Sequence, residues 1–168
     1  MMRRYNILFV VVLLCFAGFL KAQETVTDLL SIHGPIEYKG SEYFLSWSKQ
    51  NSRTFSMQQY LPKDETIDDF TELLNFSFFN KEIDLDQAVR QKVESVQKMM
   101  ETDKFAEVNV SENPDGTEYI VEYLLSKTPK EGGSYVEYNV NRFKPFDKNG
   151  AKSFLILSYA KRIYGTDF

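Results

Sequence analysis

The alternation of apolar and polar residues predicts that most of this chain forms β-strands. Between residues 42 and 48, Tyr43, Leu45 and Trp47 occupy every second position, which is the period of a strand with one buried face. Other strands are predicted at 36–39, 54–61, 76–79, 105–110, 117–127, 134–144 and 151–164. Turns, marked by Gly, Pro and Asn residues, are predicted at 40–41, 113–116 and 147–150.

The turn at 113–116 predicts a hairpin with a defined register. If Pro114 lies opposite Thr117, Val108 and Val110 fall on the same face as the apolar positions of the following strand. We therefore expect one side of this hairpin to be buried.

A long helix is predicted from Asp84 to Thr102. Asp84 is suited to cap its first turn, with Gln87 three residues later. Apolar residues at steps of three and four form one broad stripe. They are Leu85, Ala88, Val89, Val93, Val96, Met99 and Met100.

A short helix is predicted after Pro62, a residue that ends the preceding strand. Thr66 is suited to cap it, and Asp68 and Asp69 would lie in its first turn, where the helix dipole favours acidic side chains. Its buried stripe would be Phe70, Leu73 and Leu74.

Runs of strands with two helices between them are typical of an α+β protein and not of a parallel doubly wound sheet. We expect one antiparallel sheet of about six or seven strands that includes a C-terminal four-strand meander. One long and one short helix would pack on it.

The N-terminus has the layout of a secretory signal peptide. Arg3 and Arg4 precede an apolar run of 14 residues, and Ala22 offers a small residue for cleavage. The run is shorter than the roughly 20 residues of a membrane-spanning helix. The predicted organisation is a signal peptide at 1–22, a flexible leader at 23–35 and a single domain at 36–168, exported to the periplasm or the cell exterior.

Charge and cysteine content exclude several functions. Cleavage would leave 17 basic and 24 acidic residues, a net charge of −7, which disfavours nucleic acid as a partner. Cys15, the only cysteine, lies in the signal peptide, so the mature chain has no thiolate nucleophile or ligand. We expect no membrane-spanning segment after cleavage, and the sequence does not fix an oligomeric state.

No catalytic motif is found. His33 is the only histidine, so a Ser-His-Asp triad and a transition-metal site are both disfavoured, and we predict no cofactor. The acids Asp64, Glu65 and Asp68 could serve a hydrolase only if two of them converge in a pocket. We interpret them instead as helix-start and turn residues, and predict that the chain is not an enzyme.

Aromatic and arginine residues are the candidates for contact with a partner. Tyrosine, tryptophan and arginine are enriched where proteins bind each other, because they offer contact area and charge-assisted hydrogen bonds. On this basis the candidate partner-binding residues are Trp47, Tyr60, Arg142 and Arg162.

Three stretches resemble small exported bacterial proteins of unknown function. Residues 59–66, with Phe70-Thr71 after them, are similar to a "Tyr-x-Pro-x-Gly-Glu-Thr…Trp-Thr" motif, although Asp64 replaces the Gly and Phe70 the Trp. Residues 137–142 and 157–162 resemble the later strands of those proteins. Their order of elements is similar to the PsbP-like α/β/α sandwich. The resemblance implies that fold and favours binding over catalysis, because the better-known relatives dock onto protein partners.

The function favoured by these patterns is a non-catalytic binding or accessory module of the bacterial cell envelope, with an envelope protein as its partner. Two alternatives stay open. One is a carboxylate-dependent hydrolase, and the other is a carrier of a small apolar ligand, which would require a lined pocket of roughly 300 Å³ or more.

Overall fold

The computed structural model describes residues 26–129 and 133–165. These residues form an eight-stranded antiparallel sheet, curled into a half-barrel, with one helix packed on it. The elements are β1 (Ile36–Tyr38), β2 (Ser41–Ser52), β3 (Phe55–Pro62), β4 (Glu72–Phe79), α1 (Leu85–Met100), β5 (Glu107–Glu112), β6 (Tyr119–Lys127), β7 (Tyr135–Lys148) and β8 (Ala151–Tyr164). Across the sheet the order is β1-β2-β3-β4-β8-β7-β6-β5.

Two of the hairpins close through residues with positive φ. Lys39 and Gly40 join β1 to β2 with φ of 51° and 82°, and Asn149 and Gly150 join β7 to β8 with φ of 53° and 80°. Positive φ at both central residues gives the type I′ turn, whose twist matches that of the two strands. Asn-Gly is a favoured pair for this turn, which is why the sequence signal at 147–150 identified it.

The predicted register of the β5–β6 hairpin is confirmed. Val110 pairs with Val121, and Val108 pairs with Tyr123, which is the register that places Pro114 opposite Thr117. The predicted meander also forms, because β5, β6, β7 and β8 are successive neighbours in the sheet.

The long helix is confirmed in position and in its cap. Asp84 accepts a hydrogen bond from the backbone N–H of Gln87 at 2.7 Å. Val89 and Val96 are buried, whereas Met99 and Met100 at the end of the stripe are exposed.

The short helix predicted after Pro62 is wrong. Residues 63–71 form turns and β4 starts at Glu72. Leu73 and Leu74 are both buried because they point to opposite faces of a strand enclosed by β3 and β8. A strand buried on both faces has a continuous apolar run, which over a few residues imitates the spacing of a helix.

The predicted PsbP-like sandwich is also wrong. Of the described residues, 54% lie in strands and 12% in a helix, and α1 is the one helix among them. Because β4 pairs with β8 along its length, β1, β2 and β3 extend the same sheet as the meander. The chain therefore forms a single curled sheet with a helix on one face.

Alternating side chains divide the sheet into two faces. We call the face that carries α1 the helix face. At one end of it, Val89 of α1 packs with Val121, Phe143 and Phe154. At the other end, Phe70 of the 63–71 segment packs with Leu61, Leu73 and Ala160. The middle of the helix face lies between these two apolar clusters.

The opposite face carries a separate core and the N-terminal segment. Tyr43, Tyr60, Leu74 and Tyr159 are buried together there. Gln58 is fully buried, accepts from the backbone N–H of Leu30 at 2.6 Å and donates to Asp28 at 3.1 Å. The Tyr60 hydroxyl donates to the carbonyl of Ile32 at 3.1 Å. These bonds tie residues 28–32 to the sheet.

The predicted signal peptide at 1–22 and its cleavage point lie outside the described residues. Within the described residues, no helix is both long enough and apolar enough to cross a membrane.

Candidate functional site

A row of polar side chains crosses the middle of the helix face. Gln59 of β3 lies opposite Asn75 of β4, Asn75 lies opposite Ser158 of β8, and Ser158 lies opposite Asn141 of β7. Four neighbouring strands thus each contribute one carboxamide or hydroxyl at the same level. We call these four residues the polar row. Such groups are costly to bury in the middle of a sheet unless they are hydrogen-bonded.

The polar row forms part of the wall of a groove of about 440 Å³. Lys92 of α1 lines one side, and Ile67 and Phe70 of the 63–71 segment line the other. This volume falls within the range of sites for small molecules, which is about 300–1,000 Å³. Ser77 and Asn139 add further polar groups to the lining, and apolar residues such as Ile156 lie between them.

Asn75 has an unused hydrogen-bonding group. Its side chain is only 8% exposed, and its Nδ2 donates to Ser77 at 3.1 Å. Its Oδ1 is the one buried side-chain polar atom without a partner among the described residues. A buried acceptor left unpaired costs about 1–3 kcal/mol, so the fold tolerates an unfavourable group at the centre of the groove.

A lysine and a tyrosine meet at the helix side of the groove. Lys92 Nζ lies 3.4 Å from the Tyr123 hydroxyl and 4.8 Å from the centre of its ring. Burial lowers the pKa of Lys92. Burial also raises the pKa of Tyr123 to about 12, although a hydrogen bond with Asn141 opposes that rise. Lys92 therefore places its amino group at the edge of the groove, and Tyr123 stays protonated at neutral pH.

Arg162 closes the groove on the side of the 63–71 segment. Its guanidinium carbon lies 3.7 Å from the centre of the Phe70 ring and 4.4 Å from that of Tyr135, and its Nε donates to Glu137 at 2.7 Å. Burial alone would lower the pKa of Arg162, but its bonds to Tyr164 and Glu137 raise it. The arginine is thus a fixed wall whose charge is balanced by Glu137.

The four residues predicted to contact a partner do not share a surface. Trp47 lies opposite Gln59 and so belongs to the helix face, as does Arg162. Tyr60 points to the opposite face and is fully buried. Arg142 is also on the opposite face, exposed and paired with Glu118. The structure brings only Arg162 into the wall of the groove.

None of the three acids considered for hydrolysis lines the groove. Asp64 and Asp68 are exposed, and Glu65 accepts hydrogen bonds from the backbone N–H and the hydroxyl of Thr71. A hollow of about 560 Å³ beside Arg162 is lined by Asp68 but by neither of the other two acids. Within the described residues, no group of three or more His, Cys, Asp or Glu side chains is placed to hold a metal ion.

Sequence reasoning missed Asn75, Asn141, Ser158 and Lys92. No signal in the sequence could have found them, because polar residues such as Asn75 and Asn141 are expected on an exposed face and only the structure shows that both are buried. Nor could the sequence show that these polar positions meet in one row, since β4 and β8 are more than 70 residues apart in the chain.

Comparison with known proteins gives one family. The model of an uncharacterised protein family matches residues 30–167, and the chain therefore belongs to that family. The match covers the whole sheet, α1 and the groove. Comparisons with curated proteins and with solved structures gave no match.

Proposed function

We propose that this member of an uncharacterised family is a non-catalytic binding module of the bacterial cell envelope. In this proposal a small polar ligand occupies the groove on the helix face. The signal-peptide layout of residues 1–22 supports export, and the polar row supports binding.

The observation that carries the proposal is the unpaired Oδ1 of Asn75 at the centre of the polar row. An apolar residue at this position would remove the cost of an unsatisfied buried acceptor. A ligand that donates a hydrogen bond to Asn75 would remove the same cost when it binds. A stability cost confined to the centre of a groove of ligand size is typical of a binding site.

The lining of the groove favours binding over catalysis. Among the described residues that line the groove, Glu137 is the one with a carboxylate, and Arg162 Nε lies 2.7 Å from one of its oxygens. Its other oxygen accepts a hydrogen bond from Asn139 at 3.1 Å, so both oxygens of this carboxylate are already engaged by the protein. The polar row also favours a polar ligand over the apolar one considered from the sequence, since burying its amides under an apolar molecule would leave them unpaired.

Native mass spectrometry of the protein purified from its own cells tests this function. We expect the wild type to carry a small-molecule adduct in a one-to-one ratio. Asn75→Leu should lose the adduct, whereas Asn109→Leu, the same change at an exposed position of β5 on the opposite face, should keep it. A wild type free of adduct, or one whose adduct survives Asn75→Leu, would contradict binding in this groove.

Export and a protein partner are tested separately. Amino-terminal sequencing of the envelope fraction should start at Gln23, and a chain that retains Met1 in the cytoplasm would refute export. Chemical crosslinking in the same cells would identify the envelope protein that we propose as a partner. If no protein is crosslinked reproducibly, the proposed partner is refuted and the small-molecule binding function is unaffected.

A further inference from the structure

The charges in the groove leave one cation unbalanced. Glu137 and Arg162 neutralise each other across 2.7 Å. Lys92 forms no ion pair within the part of the chain that the structure describes, and its pKa is lowered by burial alone. A partly buried ammonium that lacks a carboxylate is stabilised by an anionic ligand oxygen, because a charge-assisted hydrogen bond is stronger than a neutral one.

The hydroxyl of Tyr123 extends this cation into a two-donor site. The oxygen lies 3.4 Å from Lys92 Nζ and accepts a hydrogen bond from it, because an ammonium group can only donate. A phenol oxygen has two lone pairs and one proton. Because the oxygen accepts from Lys92, its O–H is left as a donor, next to the remaining N–H groups of the lysine.

We infer that the ligand of this groove is a small hydroxylated carboxylic acid of the sugar-acid type. Its carboxylate would bind Lys92 and Tyr123, and its hydroxyls would bind the polar row. This inference rests on the proposed binding function, whose site it shares.

The charge balance favours a carboxylate over a phosphate. A carboxylate offers two oxygens to the two donors, and its single negative charge matches that of Lys92. A phosphate monoester carries a charge of about −1.5 to −2 at neutral pH. Its additional negative charge would lie near the Glu137 carboxylate. Arg162 could not balance that charge, because it is already paired with Glu137.

The polar row favours hydroxyls over amide N–H groups. Gln59, Asn75 and Asn141 each present a donor and an acceptor, and Ser158 presents a hydroxyl. A sugar hydroxyl both donates and accepts, so it can donate to the unpaired Oδ1 of Asn75 and accept from another amide of the polar row at the same time. A peptide N–H only donates, so it could bond to Oδ1 but would leave the amide donors of the row without an acceptor.

Calorimetric titration with defined probes tests the ligand class. The probes are D-galacturonate, D-galactose, galactose 6-phosphate and N-acetylalanine. We expect galacturonate to bind about tenfold or more tightly than neutral galactose, because one charge-assisted hydrogen bond is involved. It should also bind more tightly than the phosphate and the N-acetylated amino acid.

Two lysine variants locate the carboxylate. Lys92→Met keeps the aliphatic stem over Tyr123 but removes the charge, so galacturonate and galactose should then bind equally. Lys98→Met, an exposed position on the same helix, should keep the wild-type preference. Thermal unfolding of both variants establishes that they are folded.

The remaining outcomes of these titrations would overturn the inference. Equal binding of galacturonate and galactose by the wild type refutes the carboxylate, and tighter binding of the phosphate or of N-acetylalanine refutes the sugar-acid class. Binding of none of the probes also refutes it. If the native adduct described above persists in that last case, the binding function stands and only the ligand class fails, whereas loss of both refutes both.

Discussion

Replacing Asn75 with leucine should stabilise the fold while removing ligand binding. Leucine branches at the same carbon as asparagine, so it occupies the site with apolar atoms of similar shape. Asn75 is 8% exposed in the central strand β4, with Oδ1 unpaired and Nδ2 bonded to Ser77 at 3.1 Å. The change therefore removes one unfavourable buried group and one hydrogen bond.

The magnitude follows from these two terms. Relief of the unsatisfied acceptor gives about 1–3 kcal/mol, but loss of the bond from Nδ2 leaves the buried Ser77 hydroxyl without that partner and costs a similar amount. The net gain therefore comes from the extra apolar surface that leucine buries and from its higher preference for strands. We expect a net increase in the free energy of unfolding of about 1–2 kcal/mol. For a chain of this size that raises Tm by roughly 2–8 °C.

Thermal and urea unfolding, followed by circular dichroism without added ligand, measure this change. Asn141→Leu is the matched control. It makes the same substitution in the same polar row, on the other side of Ser158, but removes an amide that bonds to Tyr123. It should leave stability unchanged or lower it by about 1 kcal/mol.

One result would refute the reasoning. If Asn75→Leu lowers the free energy of unfolding as much as Asn141→Leu, then the Asn75 amide stabilises the fold and its unpaired oxygen has no energetic cost. The argument that the groove sacrifices stability for binding would then be lost.

Three further predictions concern hydrogen bonds outside the groove. Gln58→Leu should free residues 28–32 from the sheet, lower stability by about 2–4 kcal/mol and speed proteolysis there, and an unchanged digestion pattern would count against it. Asp103→Ala should cost about 2–4 kcal/mol in urea unfolding, since Ser126 donates two bonds to this carboxylate, and a loss below about 0.5 kcal/mol would contradict that role. A hydrogen bond from Tyr43 lowers the pKa of Glu72 below its ordinary 4.5, so the stability it provides is present above about pH 4.5 and is lost as pH falls through the lower, folded-state value. The free energy of unfolding of Glu72→Gln, measured by urea unfolding, should therefore be lower than that of the wild type near neutral pH and should converge with it in acid. A difference that stays constant across this range would show that ionisation of Glu72 does not contribute to stability.

The sequence by itself determined the elements whose signals are local. The helix at Leu85–Met100 has a stripe of several turns and a capping Asp84, and the β5–β6 hairpin has a turn that fixes its own register. The final strand, Ala151–Tyr164, matches the predicted bounds. In each of these cases the residues that interact are close in the chain or repeat with one period over many residues, so the pattern contains the information.

Tertiary structure alone decided β4 and the groove. Phe70, Leu73 and Leu74 are apolar in either a helix or a doubly buried strand, and only the pairing of β4 with both β3 and β8 selects the strand. The same pairing places Asn75 opposite Ser158, which no local pattern specifies because the two residues are 83 positions apart in the chain. Trp47, Tyr60, Arg142 and Arg162 were candidates by residue type, but the alternation of faces along each strand sends them to two sides of the sheet. The candidate site therefore depends on strand order, which follows from how the whole sheet buries its two faces.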